Sequence, residues 1–242
     1  MPLPTSPVSV ADRRVSDRLE QLSNSIGRKI PISHQIAHTI RDLIISGTLN
    51  PGDRIIESKI AKQLSVGQPT VREALVALEH QGLVVRKSNQ GCVVTTLTRN
   101  EVCQILEVRP ELEGLAVELG AKKGRQQDLE QLASAARRMK AAAQAQNIEE
   151  FYSHDLAFHN LLWKLPGNTV LTKLLEELML PLLALCYLRN LRNRAYVDMT
   201  ASAEAHSRIA AGLVSRKAAK ARQIALDSFE IFAEQHLRYF EG

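Results

Sequence analysis

Between Glu57 and Gly91 the chain reads ESKIAKQLSVGQPTVREALVALEHQGLVVRKSNQG, and few folds accommodate that succession of patterns. Ile60, Ala61 and Leu64 fall on one face of a first short helix. Gly67 interrupts it. Val71, Ala74, Leu75 and Leu78 then recur at i, i+3, i+4 and i+7, the apolar stripe of a second amphipathic helix over 68–81. Gly82 stands where that helix should stop, in a left-handed position that glycine adopts cheaply. Val84-Val85, the polar run Lys87 to Gly91, and Val93-Val94 read as strand, turn, strand. Helix, tight turn, helix and basic hairpin make a winged helix-turn-helix. The second helix can enter a major groove while the hairpin reaches phosphate or the minor groove. The same pattern also suits a small αα-hairpin backed by a β-hairpin with no DNA partner, because helix-turn-helix spacing is not unique.

Charge points to DNA more than to other partners. Residues 28–98 carry nine Lys/Arg against five acids, residues 1–27 carry three of each, and 99–242 carry 19 basic against 18 acidic. The positive excess therefore sits in the segment read as winged helix, where phosphate neutralisation dominates affinity. A mildly basic surface without a polyanionic partner would look the same. Cys92, Cys103 and Cys186 are widely spaced and odd in number, which argues against a disulfide framework or zinc finger and suits a reducing cytoplasm. No apolar run approaches the ~18 residues of a spanning helix, and the first residues lack the apolar core of a signal peptide. Residues 1–28 read as a flexible polar leader, with Arg13 and Arg14 as a possible basic arm.

From Arg99 onward Leu, Ala, Glu, Gln and Arg dominate, all strong helix formers. Gly124, Pro166-Gly167-Asn168, Pro181 and Arg194-Ala195 punctuate this half into six or seven helices. The expected fold is mainly α: an N-terminal winged helix-turn-helix over 29–97, plus a C-terminal all-α antiparallel helical bundle over 98–242. Aromatic content of 4% is too low for a stacking-type single-strand binder, and there is neither an internal repeat nor a Gly-rich phosphate loop. The apolar stripes of 102–119 and 171–188 exceed what one face needs, which points to a homodimer, as two-fold operators also do.

The bundle half contains polar residues on faces built for burial. Over 148–165, Phe151, Asp155, Phe158, Leu162 and Leu165 form one stripe, with Tyr152, Leu156, His159 and Trp163 beside it. Asp155 and His159 are i, i+4 neighbours, and a buried carboxylate needs a cation, a donor network or a metal. His206 shares a face with Met199, Ile209, Ala210 and Leu213. Arg109 shares one with Ile105, Leu112 and Ala116, and Pro110 after it is expected to loosen or kink the helix. Inward polar groups on three helices suggest a lined cavity. Tyr187, Arg189, Arg192 and Arg194 read as a solvated helix end.

The run Ile36 to Val94 resembles the DNA-binding domain of the GntR family of bacterial transcription regulators. The resemblance rests on Gly47-Thr48-Leu49-Asn50-Pro51-Gly52-Asp53-Arg54-Ile55, Ile60-Ala61-Lys62-Gln63-Leu64, Val71-Arg72-Glu73-Ala74-Leu75 and Leu78-Glu79-His80-Gln81-Gly82-Leu83-Val84. Where the family has Val-Ser-Arg-x-Pro-Val-Arg, this chain has Val66-Gly67-Gln68-Pro69-Thr70-Val71-Arg72. A hydroxyl is lost at Gly67 and an arginine is replaced by Gln68. Glutamine pairs bidentately with adenine and arginine with guanine, so the operator preference is expected to differ from that of relatives. The DNA contacts then expected are Ser58 and Lys59 on backbone, Gln68, Thr70 and Arg72 at the recognition helix, and Ser88, Asn89, Gln90 and Gly91 at the wing tip.

The helical half is similar to the FCD ligand-binding domain of the FadR-like subfamily. That resemblance implies a divalent metal, Zn, Ni or Mn, on an Asp-x-x-x-His pair and a later histidine, matched by Asp155, His159 and His206. A fourth ligand position falls on Ser228, where the match fails. It also implies an acidic effector at Arg109. Two readings stay open: an Asp–His hydrogen-bonded pair with no metal, and an internal salt bridge from Arg109 to Asp155. The function implied is a cytoplasmic, ligand-responsive repressor released from its double-stranded DNA operator by a small carboxylate effector bound near Arg109 and Ser228. The competing reading is a metal-dependent hydrolase or lyase built on Asp155, His159 and His206, although no second carboxylate stands out as a general base.

Overall fold

The computed structural model describes residues 15–17, 19–22, 30–46, 48–88, 91–192 and 198–238, without the side chains of Arg192, Ile231 and 234–238. Gly47, Asn89, Gln90, Arg194 and Ala195, together with Arg13, Arg14 and most of the leader, lie outside the described residues. Two compact units divide between Thr96 and Leu97.

The first unit follows the apolar periodicity closely. Helix α1 (Ile32–Ile45) buries Ile36, Ala37, Ile40, Leu43 and Ile44. α2 (Glu57–Leu64) buries Ile60, Ala61 and Leu64, and α3 (Gln68–Glu79) buries Val71, Ala74, Leu75 and Leu78. α3 packs on both α1 and α2, so one stripe serves two neighbours. It stops at Glu79, two residues short of the expected end. His80 caps it, and Gly82 follows at φ +69°. Strands β2 (Val84–Lys87) and β3 (Gly91–Val94) form the expected hairpin, with Val84 opposite Val94 and Lys87 opposite Gly91.

Sequence reading missed β1 (Arg54–Ile55), which pairs antiparallel with β3 and completes a sheet of order β1-β3-β2. Two residues carry no periodicity, so only the partner strand makes them a strand. Within the segment read as a flexible leader, residues 15–17 and 19–22 are helical. Leu19 is buried there, and the Gln63 amide donates to the Ser16 carbonyl at 2.9 Å.

The second unit comprises, among the described residues, six helices around one core. They are α4 (Arg99–Lys123), α5 (Gln126–Gln144), α6 (Ile148–Lys164), α7 (Thr169–Arg192), α8 (Met199–Val214) and α9 (Ala218–Arg238). α4 begins with a capping box: Thr98 accepts from the Glu101 amide at 3.2 Å, and Glu101 accepts from the Thr98 amide at 2.7 Å. Asn147 and Asp198 cap α6 and α8 with their side chains. Gly114 on α4 lets α9 approach closely, since a Cβ there would meet Leu226 at 3.3 Å and Arg222 at 3.4 Å.

Pro181 does not end a helix as expected; α7 runs through it. α4 likewise continues across Pro110, at the cost of the amide that the Leu106 carbonyl would otherwise accept. Burial of apolar residues on both sides of each proline keeps these helices continuous despite the lost bond. Tyr187, read as part of a solvated end, packs its ring 5.1 Å from that of Tyr152, and Arg189 is half-buried.

Candidate functional site

In the first unit α3 presents its amino-terminal end with Gln68 exposed and Thr70 half-buried. Gly67 is the N-cap and has no side chain to offer; the Thr70 amide donates instead to the Gly67 carbonyl at 3.1 Å. Arg72 lies one turn beyond Gln68 on the same face. Ser58 and Lys59 are exposed at the start of α2, and Ser88 and Gly91 are exposed in the hairpin turn, Gly91 at φ +74°. Arg72 is tied to a residue the sequence reading passed over. Its Nε and Nη2 both donate to Glu57 Oε2, at 3.2 and 3.0 Å.

In the second unit α6 and α8 bring Asp155, His159 and His206 together, all buried. Asp155 and His159 meet because residues four apart share a helix face. His206 Nε2 lies 3.1 Å from Asp155 Oδ1 and 3.2 Å from His159 Nε2, and His159 Nε2 lies 3.6 Å from Asp155 Oδ1. The point equidistant from three atoms so spaced is about 1.9 Å from each. An ion slightly off their plane would stand roughly 2.0–2.2 Å from all three, as zinc does from nitrogen and oxygen ligands.

The far ring nitrogens are also placed as in metal sites. His206 Nδ1 lies 2.7 Å from the Ser202 carbonyl, and His159 Nδ1 lies 3.0 Å from Glu113 Oε1, close but poorly aligned for a hydrogen bond. A proton on each Nδ1 leaves each Nε2 lone pair facing the centre. Cys186 lines the same pocket, but the donor atoms that converge are those of Asp155, His159 and His206. That donor set is nitrogen and oxygen, which suits Zn, Ni or Mn.

Glu113 is the residue that sequence reasoning missed. It is fully buried on α4 and accepts from Arg109 Nε at 2.6 Å and from Trp163 Nε1 at 2.9 Å. Arg109 thus forms its ion pair with Glu113 and not with Asp155, correcting one of the open readings; on a single helix the i, i+4 carboxylate is simply nearer. Its guanidinium also lies over the rings of Phe229 and Phe232, at 4.8 and 4.3 Å. The i, i+4 spacing from Arg109 and the inward stripe of Ile105, Leu112 and Ala116 were the signals that could have found Glu113. Burial alone would raise its pKa, but Arg109 and His159 overcome that and hold the carboxyl far below the usual range. With the two imidazoles protonated and no cation between them, Asp155 is likewise held low against its burial, by the His206 hydrogen bond and then by the charges of His159 and His206. With both imidazoles neutral, as metal ligands must be, the carboxylates of Asp155 and Glu113 against the Arg109 guanidinium leave one negative charge for a cation to balance.

The Ser228 hydroxyl, at the fourth ligand position, donates back to the Ile224 carbonyl at 2.8 Å. It lines, with Arg109, His206 and Phe232, a cavity of about 30 Å³. Arg109 Nη1 is buried without a hydrogen-bond partner among the described residues.

Comparison with known proteins accounts for both units. The family described as bacterial regulatory proteins, gntR family, matches residues 32–94, and the FCD domain matches 104–230. An HTH-type transcriptional regulator of Bacillus subtilis, YdhC, is 31% identical over 153 residues, which are 63% of this chain and 68% of the relative. The gluconate operon transcriptional repressor of the same species is 30% identical over 128 residues, 53% of this chain; the match spans about half of that relative, 52%. The solved structure of Escherichia coli McbR/YncC has the same fold, with a TM-score of 0.63 at 20% identity over 93% of this chain and 98% of that one. No helix among the described residues is long and apolar enough to cross a membrane. With a winged helix matching the one family and a six-helix unit matching the other, in that order, the chain belongs to the GntR family of bacterial regulatory proteins with an FCD domain, and is a DNA-binding transcriptional regulator rather than an enzyme.

Proposed function

We propose that this regulator is a cytoplasmic homodimeric repressor whose second unit binds a divalent metal on Asp155, His159 and His206 and, beside it, a small carboxylate effector that releases the operator. The observation that carries the metal reading is the convergence of three buried donor atoms within 3.6 Å of one another. Arg109 Nη1, buried without a hydrogen-bond partner among the described residues, supports an anion there, since a guanidinium clamps carboxylates and an orphaned buried donor is costly. The cavity of about 30 Å³ holds no more than a water, so an effector of several atoms must displace lining side chains such as Phe232. Bound metal would supply open coordination positions for the carboxylate. Ser228 and Arg109 would orient it.

Repression also fits the relative named as the gluconate operon transcriptional repressor. A homodimer is supported by apolar side chains left exposed on α4, where Val108 and Leu115 are seven residues apart. Free cysteines suit a reducing compartment. The DNA contacts proposed are Ser58, Lys59, Gln68, Thr70, Arg72, Ser88 and Gly91, with Asn89 and Gln90 of the wing turn outside the described residues. Arg72→Ala is expected to lower operator affinity at least tenfold, about 1.4 kcal/mol, as loss of a specific contact does. A gel-shift titration in which the variant binds like wild type would remove Arg72 from the interface.

A further inference from the structure

We propose that Glu57 is a specificity-determining residue: it holds Arg72 so that the free edge of the guanidinium reads a guanine, which makes Arg72 a base reader and not a phosphate contact. The inference rests on the proposed place of Arg72 in the DNA interface. Two N–H groups on one edge of the guanidinium, Nε and Nη2, are taken by a single oxygen of Glu57 at 3.2 and 3.0 Å. The other edge, Nη1 with the second Nη2 hydrogen, has no partner among the described residues, and the Arg72 side chain is 56% exposed. Two parallel donors on a fixed plane match the O6 and N7 acceptors of guanine in the major groove.

The charge on Glu57 decides between the two kinds of contact. A carboxylate within hydrogen-bond distance of a phosphate-binding arginine would repel the phosphate and cancel much of the attraction. A guanine edge is neutral, so the carboxylate costs little there and fixes the arginine plane. Without it a long, flexible side chain is free to reach phosphate at any step.

Arg72 holds the closer claim on Glu57. The other oxygen of Glu57 lies 3.8 Å from Arg86 Nη1 of β2, beyond a hydrogen bond, and Arg86 Nε is engaged at 3.1 Å by Glu79 at the end of α3. Oε2 of Glu57 is thus committed to Arg72, while Arg86 keeps the wing against the recognition helix. Gln68, one turn earlier on the face of Arg72, offers the pairing for adenine. The half-site this surface fits contains a guanine under Arg72 with an adenine close by.

The test uses the full chain and a random-sequence duplex library from which wild type selects its sites. Gel shifts at one fixed salt concentration then compare wild type, E57A, E57T and R72A. The probes are the selected duplex, the same duplex with each G·C pair changed to A·T, the same duplex with 7-deazaguanine at each guanine, and a bulk non-specific duplex. Wild type is expected to discriminate against losing one G·C pair per half-site by about tenfold or more, and R72A to lose that discrimination. E57A and E57T should cut it at least about threefold while binding the bulk duplex as well as or better than wild type, because a negative charge has left the interface. A merely structural role for Glu57 would weaken both duplexes together and lower the melting temperature. That outcome overturns the proposal, as does wild-type discrimination in both Glu57 variants. If R72A itself binds and discriminates like wild type, the interface assignment of Arg72 falls with it; if only R72A is affected, the interface stands and the role of Glu57 does not.

Discussion

Replacing Glu113 by alanine is expected to destabilise the second unit by about 3–5 kcal/mol, because it leaves the Arg109 guanidinium buried without its carboxylate. Arg109 is 2% exposed and Glu113 is fully buried, so water cannot replace the lost partner. The same change strands the indole N–H of Trp163, which Glu113 accepts at 2.9 Å. Trp163 is the sole tryptophan of the chain, so its fluorescence in a urea titration reads this unit directly. A loss below about 1 kcal/mol would show that the pair is not buried in solution. Removing both partners together, as Arg109→Met with Glu113→Leu, should recover part of the loss, since apolar replacements for a buried pair are often neutral.

Acid should weaken the same unit with a defined sign. The carboxyls of Glu113 and Asp155 are held below their ordinary values of 4.5 and 3.8, so they stabilise the fold above that range. The stabilisation is lost as pH falls below about 4 and through the folded values. Glu113→Gln should flatten this dependence in urea titrations across that interval; an equally steep loss in the variant would place its origin elsewhere.

Metal should raise the stability of the wild type by roughly 3 kcal/mol at a hundredfold excess over its dissociation constant, and should do nothing for the double variant His159→Ala, His206→Ala. The difference arises because the triad exists only in the folded state: Asp155 and His159 come from one helix and His206 from another. Melting curves with zinc, nickel, manganese or chelator, alongside the metal content of purified protein, make the measurement. The winged-helix unit should melt unchanged in the double variant. If wild type carries no metal and none of the three ions shifts its melting, the metal proposal fails, and the cavity becomes a carboxylate site centred on Arg109.

Much of this molecule was legible in the sequence because it is local. The stripe Val71, Ala74, Leu75, Leu78 marks a helix and its buried face within a dozen residues, and all four are buried. Asp155 and His159 declare themselves as neighbours by their spacing, since one turn of helix brings them together wherever the helix lies. His206 could be placed on an inward face by its own flanking residues, but nothing local says that its Nε2 meets Asp155 at 3.1 Å; the packing of α8 against the rest of the bundle does.

Glu113 shows the opposite case. An arginine and a glutamate at i, i+4 are ordinarily a solvated pair, and the approach of α6 and α9 makes this one a buried hub, with Trp163 and His159 on Glu113 and Phe229 and Phe232 on Arg109. Helix continuity through Pro181 and the strand at Arg54–Ile55 were decided the same way, by neighbours that outweigh a local preference. The sequence by itself determined the helices of the winged unit, the helical character of the second unit and the inward faces that carry Arg109, Asp155, His159 and His206, because periodicity and spacing are properties of a single segment. Only the tertiary structure decided which of those groups touch, since each contact depends on two segments far apart in the chain.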